Sequence, residues 1–548
     1  MSVLPSSTSR LGARALIAGA AVLALLVPGV HPAAAERPSP IARLTAAPTQ
    51  VKPTTPPRPR RQDLLPSNRE IFSTVRDLVG FAPRITGSPG GRRTAAYVAD
   101  RFRRAGLSDV HYEKAPAYWW RSSDADLRID GKRIPATPIR HSLIAGFDKE
   151  SHRTLGPKGL TAPIVDIGAT LPNATDVEGK IVVFDLKFLM PLAVVALASE
   201  FLWDPDGQLL DPEALLGANP YMTNYGTVMP QIIAGGAVGA IGVLSDYFES
   251  DDYHNESYRQ VEMKLPGFWV SPATGAKLRA SLASDSQATM HLTTDRTRVV
   301  GRTVVGLLPG RTKDTIMVQS HHDSQGPGAV EDGTGASEVI ALADYYGALA
   351  RTPGYEKPEK TLMFATFDTH FTGYQNHGAF ARKYVLADDP PLHIVANATI
   401  EHIGLQAKRN ADGSLRVLDR PEPSGIFENL GLGLKAVMAG GLVQNDIRGT
   451  ALLDAVPMQT SVGVPTDANW AVLSQIPTAS MISGPAYMYD DADTLDKVDV
   501  DRLAPVARLF VQIVDAMQAT PSDLIGIVPP PVADVIRQIL VLLLFGGA

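Results

Sequence analysis

An open α/β fold is what this sequence predicts, and two stretches predict it. In the first, Thr315-Ile316-Met317-Val318 is a short apolar strand bounded by polar residues, and Ala336 to Ala350 has apolar positions at helical spacing. In the second, Thr361 to Phe367 reads as a strand that runs on through Gly373 and Gly378 into a helix. Between the first strand and its helix, Gln319 to Gly335 gathers a His-His pair, carboxylates and a glycine-rich turn. The cluster therefore falls where a strand ends and a helix begins. Open α/β sheets bind ligands in that crevice, because unpaired backbone groups collect there.

Taken singly, these residues have ordinary readings: Asp332-Gly333 as a turn, His321-His322 as surface or satisfied core histidines. Length sets the wider frame, since 548 residues correspond to two domains or more at roughly 150 residues each. A formal net charge of −6, with basic residues not concentrated on one segment, argues against nucleic acid as a partner. Cysteine is absent, which excludes disulfides, thiolate zinc sites and a lipobox anchor.

The N-terminus predicts a compartment. Arg10 and Arg14 precede an apolar run from Ala15 to Val27, and Ala33-Ala34-Ala35 supplies small residues for cleavage, so residues 1–35 read as a secretory signal and the mature chain is expected outside the cell. Residues 36–67 are rich in Pro, Thr and Arg and read as an extended linker. At the other end, 521–548 forms an apolar extension whose run from Ile539 to Phe545 is shorter than the about 20 residues a membrane span takes. No stable membrane span is expected.

The string from His321 to Gly335 resembles the first metal-binding motif of the co-catalytic di-zinc aminopeptidases, the family of aminopeptidase Y and the secreted bacterial leucine aminopeptidases. Its pattern there is His-x-Asp-Ser, a spacer, then Asp-Asp-Gly-Ser-Gly. Pro83 to Ser88 followed by the amphipathic Thr94 to Leu107 resembles that family's first helical hairpin, Thr361 to Gly373 its third landmark, and Asp493-Thr494-Leu495-Asp496 its last active-site loop. The resemblance implies a three-layer α/β/α sandwich with a mixed, mainly parallel sheet, formed by residues 68–155 and 295–520. Residues 161–294, with Val177 to Phe184 and Ile233 to Leu244 as apolar strands joined by glycines, resemble a protease-associated insert domain. Phe188 to Tyr225 within it reads as a flap over the site or as a packed extension.

Carried over position by position, the resemblance implies a first metal held by His321, Glu331 and Glu401, the two glutamates standing where the family has aspartates. Asp323 takes the place of the residue that orients the histidine ring. For the second metal, Phe371 stands at a glutamate ligand and Tyr489 at a histidine ligand, and phenylalanine cannot bind a cation. His370 stands at the family's catalytic glutamate, as proton shuttle or as an added ligand. Asp332, Phe371 and Tyr489 are thus candidates for substrate or second-site contacts. His322 and His402 are spare candidates, disfavoured because neighbours on a strand face opposite ways.

The expected cofactor is zinc, one ion rather than two, with Mn or Fe as alternatives. The expected partner is a peptide or small amide; oligomeric state is not legible. Three readings follow: a hydrolase of the aminopeptidase type with a rebuilt mononuclear site, a metal-dependent enzyme of another reaction class, or an inactive binding protein on the same scaffold.

Overall fold

The computed structural model describes residues 51–172, 174–189, 199–209, 220–254, 261–456 and 464–527. The expected signal segment and the run from Ile539 to Phe545 lie outside them.

Strands of the central sheet follow in chain order as β1 (Ser108–Ile129), β2 (Leu160–Gly168), β3 (Ile181–Asp185), β4 (Ser199–Trp203), β5 (Gly239–Val243), β6 (Gly267–Val270), β7 (Gln287–Leu308), β8 (Asp314–His321), β9 (Thr361–Phe367), β10 (His393–Ile400), β11 (Ser424–Glu428), β12 (Thr450–Asp454) and β13 (Thr478–Ser483). In space they run β6-β5-β3-β2-β7-β9-β8-β10-β13-β11-β12-β4. Strands β9, β8, β10 and β13 are parallel to one another, and antiparallel β7 and β11 flank them. The long β7 joins both halves, pairing with β1 along nearly its whole length, with β2 at its start and with β9 at its end.

Helices α1 (Asn68–Val79), α2 (Pro89–Ala105), α3 (Tyr225–Ala234), α4 (Pro272–Ser281), α5 (Gly335–Ala350), α6 (Gln375–Tyr384), α7 (Leu432–Gln444) and α8 (Leu503–Ala519) complete the fold. Strand residues alternate between two cores. Ile316, Val318, Leu362 and Phe364 pack with α1, α2, α5 and α8, whereas Met317, Met363, Ala365 and Phe367 pack with Phe380 and Tyr384 of α6. Strands buried on both faces must be apolar throughout, which is why β8 and β9 read as unbroken apolar runs. The three-layer sandwich with a mixed sheet is the architecture expected.

Local signals explain the helix ends. Ser67 and Glu70 form a capping box at α1. Ser88 caps α2, Pro89 opens it, and Gly106 at φ 90° closes it.

Three expectations need amendment. Ile233-Ala234 end helix α3 rather than belonging to a strand, and only Gly239–Val243 is extended. Strand β4, drawn from the segment that resembles an insert, pairs with β12 at the opposite edge of the main sheet. The described part of the Pro-rich stretch is docked: Val51 N–H donates to the Glu200 carbonyl at 3.4 Å, Thr54 N–H to that of Ala436 at 3.0 Å, and Pro56 is buried. Proline has little unfolded freedom to lose, so so polar a segment still orders once α7 offers a surface.

Helix α5 is buried on nearly every side and crosses α2 closely. A Cβ on Gly347 would overlap the Ala105 carbonyl. Gly347→Ala should therefore lower stability by about 1–3 kcal/mol in urea denaturation, and an unchanged midpoint would contradict this crossing. The same helix buries Glu338, whose carboxylate oxygens have no hydrogen-bond partner among the described residues. Burial pushes its carboxyl well above its usual range, helped by Asp332. An acid raised in the folded state loses stability as pH rises from its unfolded value towards the folded one. Glu338→Leu should remove that component, so its stability gain over the wild type should be larger at about pH 8 than at about pH 5.

Candidate metal centre

Three strand ends and one loop supply the site. His321 is the last residue of β8, His370 follows β9, Glu401 and His402 follow β10, and Asp467 precedes a short helical turn, Asn469–Leu473, ahead of β13. Between β8 and α5, the chain loops back so that Glu331 faces these ends.

That loop is held by motifs noted in the sequence. The Asp493 carboxylate accepts from the backbone N–H of Val330 at 2.9 Å and of Glu331 at 2.8 Å. Arg84, fully buried, donates to the carbonyls of His322 at 2.9 Å, Pro327 at 2.8 Å and Gly328 at 2.8 Å. Burial pulls its pKa down to about 10, against Asp493 and Asp323, so it stays charged at neutral pH. Gly328 has φ 59°, and a Cβ there would lie 2.5 Å from both the Glu331 carbonyl and the Ser324 Cβ; only glycine fits. Asp332 accepts from Ser320 Oγ, from Gly335 N–H at 3.0 Å and from His402 N–H at 3.2 Å. It thus holds backbone rather than facing an open second site.

Glu331 meets imidazoles on both oxygens. Its Oε1 lies 3.3 Å from His321 Nε2 and 3.4 Å from His370 Nε2, and its Oε2 contacts His402 Nε2. The rings of His321 and His370 stack at 3.8 Å. Each histidine has its Nδ1 against an acceptor: His321 on the Asp323 carbonyl at 3.1 Å, His370 on Asp467 Oδ1 at 2.5 Å, His402 on the Ser483 carbonyl at 2.7 Å. In a neutral ring, as burial keeps His370, a proton held on Nδ1 leaves Nε2 as the free lone pair, the arrangement by which proteins aim histidine at a cation.

The electrostatics match this packing. Burial opposes ionisation of Glu331, but His402 and His321 outweigh it and hold the carboxyl at about 2. For His402, burial is outweighed by Glu331, which raises the imidazole to about 10. Burial lowers His370 despite Asp467, leaving it neutral. Asp467 sits well below the carboxylate range, its burial offset by His370 and His321. Glu401 goes the opposite way, pushed far up by burial and by Asp467.

Of the ligands expected, then, the structure brings His321 and Glu331 together, and adds His370. One ligand atom from each of these three lies within 4.8 Å of the others. Glu401 stands aside, accepting from the backbone N–H of Asp467 at 3.1 and 3.3 Å. Asp323 lies beside His321, its Oδ1 3.5 Å from Nδ1, and its other oxygen accepts from Phe371 N–H at 3.2 Å. Phe371 presents its ring to both His321 and His370, at 5.9 and 4.7 Å. Tyr489 is buried against Tyr253 and His254. His322 turns to Thr366, with Nδ1 3.1 Å from its carbonyl. His402, disfavoured on strand alternation, reaches Glu331 because β10 has ended and φ there is 56°. Asp467 carried no motif and was not anticipated.

Residues 303–375 match the model of Peptidase family M28. No curated protein matches the chain in sequence. Among solved structures, BSAP, a zinc aminopeptidase from Bacillus subtilis, superposes with a TM-score of 0.56 at 17% identity, covering 85% of this chain and 99% of its own. The aminopeptidase from Aneurinibacillus sp. strain AM-1 gives 0.53 at 17% identity, with 83% and 95% covered. A Peptidase M28 precursor from Shewanella amazonensis SB2B gives 0.57 at 18% identity, with 84% and 95% covered. The chain thus shares the fold of these solved structures over most of its length, and its central segment matches the M28 family model.

Because Arg84 answers three buried carbonyls at once, Arg84→Met should destabilise the protein by at least about 3 kcal/mol, an acceptor left unpaired costing about 1–3 kcal/mol. Equal stability of the two proteins in guanidinium would show that the loop is held by other contacts.

Proposed function

We propose that this chain is a secreted metal-dependent hydrolase of peptide or amide bonds, working at a mononuclear centre formed by His321, Glu331 and His370. One observation carries the reading: two imidazole nitrogens and a carboxylate oxygen converge in a buried group, each imidazole braced from behind by an acceptor. Two histidines and a glutamate are a donor set of catalytic zinc, which keeps its remaining position open for water or substrate. The zinc aminopeptidase among the structural neighbours supports zinc as the ion.

Bound there, zinc supplies Lewis acidity and a water of pKa about 7. The protein does the rest. Asp467 and the Asp323 carbonyl fix the two ring orientations. His402 holds a proton on Nε2 against Glu331 Oε2, where it can be passed to a departing amine. Phe371 fills the place where the family binds a second ion, so a second metal on Glu331 is not expected. Without that ion the customary anchor for a free substrate amine is also gone, which opens the substrate range to blocked peptides and acylated amines.

In this reading His370 is a ligand. His370→Ala should lose metal and activity together, whereas a pure proton shuttle would keep the metal and lose about 10²- to 10⁴-fold in turnover. His321→Ala should abolish binding, Asp467→Asn should weaken it about 10- to 100-fold, and Glu401→Gln should leave occupancy near that of the wild type. Occupancy is read by elemental analysis after dialysis, and turnover on a panel of aminoacyl amides, peptides and acylated small molecules. Loss of metal in Glu401→Gln as complete as in His321→Ala would restore Glu401 as a ligand. If the metal-loaded protein cleaves nothing in the panel, the hydrolase reading falls and the binding protein takes its place.

A further inference from the structure

A second group of metal-binding side chains lies apart from the Glu331 centre. Asp252, His254 and Asp491 each offer a ligand atom, and these atoms lie within 4.8 Å of one another. The group joins two loops from distant parts of the chain, one before residue 255 and one just ahead of Asp493. The loops are bound together independently: His254 N–H donates to the Tyr489 carbonyl at 3.2 Å, and Ser250 Oγ donates to Asp490 Oδ2 at 2.6 Å. Neither of these two contacts uses a side chain of Asp252, His254 or Asp491.

His254 is the second, independent sign. It is only 3% exposed, yet neither ring nitrogen has a hydrogen-bond partner among the described residues. A buried imidazole left so has given up its hydration for nothing unless something meets it. Asp252 Oδ2 is buried and has no hydrogen-bond partner among the described residues either. Its other oxygen lies 3.5 Å from Arg140 Nη2, and Arg140 also donates to Gln325 Oε1 at 3.0 Å. Asp491 is exposed, so the group opens to solvent on one side.

We propose that Asp252, His254 and Asp491 form a second cation site, for a divalent transition-metal ion of the zinc type. Two carboxylates and one neutral imidazole suit such an ion, and three protein ligands leave room for water or a further donor. The site shares no residue with the Glu331 centre. Phe371 packs against both, its ring 5.8 Å from that of His254 and 5.9 Å from that of His321. Arg140 beside Asp252 adds repulsion, and one ligand is exposed, so this ion exchanges more readily than the first.

The proposal is independent of the hydrolase reading, and zinc titration of the metal-stripped full chain tests the two apart. The wild type should take up two classes of zinc, one tight and one weaker. His254→Ala should lose only the weaker class, and His321→Ala only the tight one. Asp491→Asn, at an exposed position where folding is not at stake, should weaken the weaker class at least about 10-fold, the lower bound for disturbing even an indirect metal contact. Cobalt in place of zinc should give visible absorption from the second site that is absent in His254→Ala. Zinc uptake unmoved by both Asp491→Asn and His254→Ala overturns the proposal, whereas one class in the wild type that is lost in His254→Ala upholds this site and counts against the Glu331 centre alone.

Discussion

Glu331 is a carboxylate only 1% exposed, and much of the surrounding structure answers the cost of keeping it there. Three imidazoles face its two oxygens. Its own N–H is held by Asp493, whose buried carboxyl is driven up to about 7 by burial even though it accepts from the amides of Glu331 and Val330. Arg84 stands near that carboxylate and is itself paired with three carbonyls of the loop that carries Glu331. Each buried charge therefore depends on the next, and removing one member leaves another uncompensated. Through such a network Arg84 and Asp493, each more than 150 positions from Glu331 in sequence, hold the loop that carries it.

The parallel core of the sheet makes the convergence possible. Strands β9, β8, β10 and β13 end on one side, so His370, His321, His402 and the Ser483 carbonyl arrive together without any one element supplying two of the three braced rings. The acceptors behind the rings differ in kind. A carboxylate braces His370, which raises its basicity, while carbonyls brace His321 and His402. The three imidazoles are therefore unequal before any ion is bound: His321 and His402 are drawn towards the charged form by the carboxylates around them, whereas burial keeps His370 neutral.

Much of this was legible from sequence because apolar runs and turn chemistry are local. Strands β8 and β9 and helix α5 could be read directly, since burial on both faces leaves no polar interruption. His321 and Glu331 stood out because the turn between them is short and rich in glycine. His402 did not, for a physical reason: alternation of side chains holds inside a strand, and β10 stops two residues earlier. It held for His322, where the chain still pairs with β9 through its N–H to the Phe367 carbonyl. Asp467 and His254 leave no local trace, since what places them is contact between distant loops. The strand β4 at the far edge was illegible likewise, because pairing partners across some 250 residues have no periodicity in common.

The two glutamates that stand where the family has aspartates follow from the same geometry. A glutamate carries one more methylene than an aspartate, and at position 331 that length lets one carboxylate touch His321 and His370 with one oxygen and His402 with the other. At position 401 the extra length has the opposite result. The carboxylate accepts from the N–H of Asp467, and Asp467 in turn braces His370. Glu401 thereby reaches His370 through one intermediate, Asp467. Glu401 and His370 are therefore linked by one residue, Asp467, whose backbone N–H is held by the first and whose carboxylate braces the second.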